Sequence, residues 1–151
     1  MSNLNLMIGD FIKGKGNEAT FKVREIFVEG ISTTMKYMDK YVFIDNDNIQ
    51  PIPLSPEVME KIENISKNEN RGTRYGFLDG YYNIDRDTDL VAIFEDDGLL
   101  YIYTYEYSHE QFQLVCTFQY LHQLQQLIRL LTGKEIEVKN ECRKIHSKRL
   151  A

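Results

Sequence analysis

Tryptophan is absent from this chain, cysteine and proline occur only two and three times, and there are three histidines. Two cysteines, Cys116 and Cys142, cannot make the disulfide framework of a small secreted domain, so a cytoplasmic location is expected. No apolar run approaches the roughly 20 residues that cross a bilayer, and MSNLNLMIGD lacks the basic and apolar regions of a secretory leader. No membrane association is therefore expected. Internal repeats and low-complexity tracts are missing too. No glycine-rich turn, carboxylate pair or nucleophile with a matched base stands out, so neither catalysis nor a cofactor is expected.

What is present is ordinary globular material, 42% hydrophobic and 27% charged. The net charge of -5 argues against general nucleic-acid binding. That charge is uneven. Residues 71–110 carry three basic and nine acidic side chains, whereas residues 139–151 carry five basic and one acidic. The basic tail KNECRKIHSKRLA offers Lys139, Arg143, Lys144, Lys148 and Arg149 as phosphate contacts, which makes a nucleic-acid-associated module the alternative function. Loss of a salt-dependent mobility shift on deleting residues 139–151 would favour it.

The strongest local signal is FQYLHQLQQLIRLLTGKEIEV, residues 118–138. Leu121, Leu124, Ile128 and Leu131 recur at helical spacing, Leu127 and Tyr120 widen the stripe, and Gly133 stands where a left-handed cap closes a helix. A second helix is announced by Ser55-Pro56-Glu57, with a hydroxyl cap, proline in the first turn and an acid beside it. Its apolar face of Val58, Met59, Ile62 and Ile65 predicts a helix to about Lys67.

The rest reads as strands. Met7–Lys13, Ala19–Val28, Ile31–Tyr37 and Tyr41–Ile44 are short and evenly spaced, and Ile49–Leu54 is a proline-marked edge. Further on, Tyr75–Ile84, Leu90–Glu95, Leu99–Glu106 and Phe112–Phe118 form a meander, with Asp97-Gly98 as a two-residue hairpin loop. The fold class expected is α+β. Residues 1–54 make a small β-barrel-like module of the Src-homology-3 type, and 55–70 a helix and linker. Residues 71–138 make an antiparallel meander packed by the C-terminal helix, followed by the tail at 139–151. A boundary between modules falls within Asn68–Arg74.

Four constellations invite chemistry. Tyr101, Tyr103, Tyr105 and Tyr107 alternate onto one strand face, which could stack bases. A two-residue loop, however, sets them beside Phe94, Ala92 and Leu90, a core face lying under the helix. Asp85-x-Asp87-x-Asp89 opens like a calcium loop, but Leu90 stands where that loop needs glycine and Asp96 where it needs glutamate. Cys142 and His146 lack the second ligand pair that structural zinc requires, so no metal is expected. His122 reads as a buried histidine bonded at the strand-to-helix junction. The opposite sheet face, with Val91, Ile93, Leu100, Ile102 and Val115, is expected to be covered by the N-terminal module, by a partner or by a second copy. Ile102, Val115, His122, Gln126 and Arg129 are accordingly the candidate partner-binding residues.

LHQLQQLIRLLTGKEIEV resembles the closing signature of a family of short uncharacterised proteins from Bacteroidetes genomes and their phages. FIDNDNIQPIPLSPEVM resembles a second segment of the same family, in the same order. The resemblance covers about a quarter of the chain and implies no activity. With the composition, it points to a non-enzymatic interaction or accessory protein of a phage or mobile element. A protein partner or homo-oligomer is expected, and no small-molecule substrate is implied.

Overall fold

The computed structural model describes residues 4–63, 65–68, 81–85, 89–106, 108–109 and 111–139. The class is α+β: two five-stranded antiparallel sheets and two α-helices. The chain divides into two compact units, one combining Met1–Ile52 with Tyr120–Glu135, the other combining Pro53–Gln119 with Ile136–Lys139.

In the first unit, β1 (Phe11–Gly14), β2 (Thr20–Ile26), β3 (Gly30–Tyr37) and β4 (Lys40–Asp45) form a meander. A single 3-10 turn at Asn46–Asn48 then leads into β5 (Ile49–Pro51), which returns to pair with β1. The sheet order is β4-β3-β2-β1-β5, and no ladder joins β4 to β5 among the described residues. Alternation along the strands sends Ile12, Phe21, Val23, Ile31, Met35, Ile44 and Ile49 into one apolar cluster. Pro51 ends β5, as a residue without an amide donor must at a ladder's edge.

The helix expected to cover the meander, α2 (Leu121–Thr132), belongs to this first unit and lies beside β1. Its start carries half of a capping box: the Tyr120 amide donates to Gln123 Oε1 at 3.0 Å. Its end is the left-handed Gly133, φ +71°, whose amide donates to the Arg129 carbonyl. The buried stripe is Leu121, His122, Leu124, Gln125 and Ile128, whereas Leu131 is exposed. The expected stripe is thus turned toward two polar side chains. The reason lies in β1, whose outward-facing amide and preceding loop carbonyls need hydrogen-bond partners that leucine cannot supply.

In the second unit, α1 (Pro56–Lys61) starts as expected, with Ser55 Oγ accepting from the Val58 amide at 3.2 Å. It ends at Ile62, well short of the expected Lys67, because the chain there turns extended and bridges Val138. The Glu63 amide donates to the Glu137 carbonyl, and the Lys139 amide to that of Lys61. The chain then enters β6 (Ser66–Asn68), the edge of a sheet ordered β10-β9-β8-β7-β6. Its other strands are β7 (Tyr81–Asp85), β8 (Leu90–Phe94), β9 (Leu100–Glu106) and β10 (Gln111–Phe118). The expected boundary region beyond Asn68, like the expected strand start at Tyr75, lies outside the described residues.

The β8–β9 hairpin corrects the expected register by one residue. Its loop is Asp96-Asp97-Gly98, three residues long, closed by the Gly98 amide on the Glu95 carbonyl (2.9 Å) and the Glu95 amide on Leu99 (3.2 Å). Gly98 takes φ +82°, the left-handed residue such a loop requires. One residue more in the loop flips every following side chain. Tyr101 therefore pairs with Ile93 and Tyr103 with Val91, while Ile102 pairs with Ala92 and Leu100 with Phe94. Leu90, Ala92, Leu100 and Ile102 are fully buried on one face, and Val91 and Tyr81 are buried on the other. Tyr101, Tyr103 and Tyr105 are half-buried, and Tyr103 and Tyr105 pack with Phe112 against the buried Tyr81 and Val91. Tyr107 lies outside the described residues.

Candidate interaction surface

The first unit exposes an apolar tip where it turns from β2 to β3. The loop Phe27-Val28-Glu29 puts two large apolar residues where hairpins usually carry polar ones. Val28 is 90% exposed, and Ile26, Phe27, Tyr41 and Phe43 are each about half exposed. The tip is held firmly. The Phe27 amide donates to the Gly30 carbonyl at 2.8 Å, Asn46 Nδ2 to the Val28 carbonyl at 2.6 Å, and the Asn46 amide to the Glu29 carbonyl at 2.9 Å. Gly30 permits this closeness, since a Cβ there would lie 2.3 Å from the Ile44 carbonyl oxygen and 2.9 Å from the Phe43 ring.

Pairing carries the surface onto β4. Ser32 faces Phe43 and Lys36 faces Tyr41, so both aromatics lie on the sheet's outer side while Ile44 points into the core. The Phe27 and Phe43 rings meet at 6.2 Å. The Arg24 guanidinium lies 3.7 Å from the Tyr41 ring centroid and Lys36 Nζ 4.9 Å, so Tyr41 is flanked by cations. Arg24 is fixed in turn by Ser32 Oγ, to which its Nε and Nη2 donate, and by an ion pair with Glu25. The result is an ordered apolar and aromatic surface with a cationic border.

The anticipated site residues fall elsewhere. Ile102 is fully buried, which closes it to any partner and corrects its place among the binding residues. Its burial follows from the one-residue shift of the hairpin. Val115 is 45% exposed, at a bulge in β10. His122, Gln126 and Arg129 are brought together, but around the chain's own N-terminal segment. Gln126 Nε2 donates to the Asn5 carbonyl (2.9 Å) and to Asp10 Oδ2 (2.7 Å). Arg129 reaches Asp10 Oδ1 at 3.3 Å and grips Glu135 with Nε at 2.6 Å and Nη2 at 3.0 Å. The Glu135 carboxylate, first among the causes, raises the guanidinium's pKa further. Asp10 is wholly buried and also accepts from the Met7 amide at 2.8 Å.

Gln125, left out of the expected partner-binding residues, is equally central. Phe11's amide donates to Gln125 Oε1 at 2.7 Å, and Gln125 Nε2 donates to the Gly9 carbonyl at 3.1 Å. His122 Nε2 donates to the Leu4 carbonyl at 3.0 Å, and its ring stacks on Tyr120. A carbonyl can only accept, so Nε2 carries a proton; in the neutral ring Nδ1 is then the bare nitrogen, and it is buried without a hydrogen bond. Burial pushes the imidazole's pKa below its usual value, against Asp10 and the Leu4 carbonyl, which both favour the proton. This cluster ties a helix to a loop.

Of the acidic triplet, Asp87 lies outside the described residues. Asp85 pairs with Leu90 across the β7–β8 connection, and Asp89 turns the chain at φ +54°. Among the described residues no group of His, Cys, Asp and Glu is placed to hold a metal ion. No helix there is long and apolar enough to cross a membrane. Cys142, His146, Arg143, Lys144, Lys148 and Arg149 lie outside the described residues, and of the tail's cations only Lys139 is described. No protein-family model, curated protein or solved structure matches the chain.

Proposed function

We propose that this chain is a non-enzymatic interaction protein, an accessory component of a phage or mobile element, and that a protein partner docks on the outer face of the N-terminal sheet. The observation that carries the reading is the ordered tip: Val28, Phe27 and Phe43 stand in water on a backbone pinned by three hydrogen bonds. Exposed apolar clusters disfavour the isolated chain, and rigid ones lose little entropy on docking. The cations beside Tyr41 suit a partner presenting acidic residues around an apolar centre. The strand order supports a Src-homology-3-type module, with a 3-10 turn between β4 and a β5 that returns to β1. The resemblance of the LHQLQQL and IPLSPEVM segments supports the phage or mobile-element setting.

The test is affinity purification of the tagged chain from its native cells, beside the double variant Val28→Glu, Phe43→Glu. Both changes are at exposed positions, so the melting temperature should hold. A stoichiometric protein retained by the parent and lost by the variant is the expected result. Equal retention by both, or specific turnover that His122→Ala abolishes without unfolding, would overturn the reading.

A further inference from the structure

The second sheet ends on β10, Gln111–Phe118, with sequence QFQLVCTF. It is the terminal strand of its sheet and is solvent-exposed along most of its length, Leu114 by 53%. Edge strands are commonly guarded by lysine, proline, charge or a bulge, since their outer amides and carbonyls invite another strand. β10 has no charged residue and no proline, in a chain whose net charge is -5. Its one guard, the bulge at Val115 between Leu114 and Cys116, leaves Gln111–Leu114 as a regular run.

From this we infer that the chain forms a symmetric dimer in which Phe112–Leu114 pairs antiparallel with the same three residues of a second copy. The inference is independent of the apolar tip. A two-fold axis perpendicular to a continuous sheet keeps each side chain on its own face, so it must pass through a residue. Placed at Gln113, it sets Gln113 opposite its own mate and Phe112 opposite the mate's Leu114. Register within the protomer shows that these pairs match. Phe112 and Leu114 pair with Tyr105 and Tyr103 on one face, and Gln113 pairs with Thr104 on the other. Phe112 already packs edge-on against Tyr105 at 5.1 Å and Tyr103 at 6.2 Å, so a mate's leucine extends an existing apolar row. An acid or a lysine at the axis would repel itself, whereas an amide both donates and accepts with its own copy. This self-complementarity selects a second copy over an unrelated strand.

Sedimentation of the full chain should give a dimer mass. Gln113→Lys sets like charges face to face about 5 Å apart and should halve that mass without lowering the melting temperature. A second variant set fixes the register. With Cys116 and Cys142 replaced by serine, Gln113→Cys should oxidise to a covalent dimer across the axis, whereas Gln111→Cys, which meets Val115 of the mate, should not. A parent chain that stays monomeric throughout a concentration series would overturn the inference. So would a dimer that survives Gln113→Lys, or equal cross-linking by both cysteine variants.

Discussion

The two units are consolidated in different ways. All the buried polar and charged residues among those described, namely Asp10, Ser32, Thr33, His122 and Gln125, belong to the unit of β1–β5 and α2. In the other unit the buried residues among those described are all apolar or aromatic, among them Met59, Ile62, Tyr81, Tyr82, Leu90, Val91, Ala92, Leu100 and Ile102. An apolar core constrains its side chains by shape and pattern alone, and here the hairpin loop decides between registers. A polar lock admits one arrangement, because each displaced donor or acceptor is left unsatisfied. The apolar tip of the first unit is also held by hydrogen bonds, from the Phe27 amide and from Asn46. The second leaves its identity to the length of one hairpin loop.

The largest expected effect lies in the apolar unit. Ile102→Glu puts an unpaired charge at a site with no exposure and should abolish cooperative unfolding seen by circular dichroism. A parent-like melt would mean that this core is not closed. In the polar unit, Leu124→Ala should cost about 2–5 kcal/mol in denaturant titration, as deletions at fully buried leucines do. A loss under about 1 kcal/mol would contradict the helix's orientation. Gln125→Ala should come next at about 2 kcal/mol, although it removes no apolar contact of note, because it strands the Phe11 amide and Gly9 carbonyl.

The smallest effect separates the units by pH. His122 has a folded pKa depressed from 6.5, so the unfolded chain takes up the proton first. Its contribution to stability is complete above 6.5 and is lost as pH falls from there through the folded value. The carboxylates of the exposed Asp97 and the half-buried Glu106 also titrate low, held by Tyr101 and His109 respectively, but from 3.8 and 4.5 downward. The melting temperature should therefore begin to fall just below pH 6.5, and His122→Gln should remove that first decline. Identical slopes for parent and variant would show that the imidazole is not buried neutral.

Much of the fold was legible locally. Gly133, Ser55-Pro56 and the strand alternation in residues 11–45 each specify their own element, because caps, turns and period-two patterns act over a few residues. Asp97-Gly98 announced a turn but not its length, and a single residue, Asp96, inverted the meander's faces. The stripe of α2 declared an amphipathic helix without declaring its host, since Gln125 meets Phe11 from 114 positions away. The apolar tip had one faint signal, two large apolar residues at Phe27-Val28 directly before the Glu29-Gly30 turn. Alternation absorbed them into β2.

A polar lock makes α2 part of the N-terminal unit, and the Phe11 amide reports it directly. That amide is held by a side chain of the distant helix. Hydrogen exchange followed residue by residue should find Phe11 strongly protected in the parent chain. In Gln125→Ala its protection should drop selectively, while the Ile12 amide beside it changes little. A Phe11 amide that exchanges equally slowly in both proteins would contradict the account.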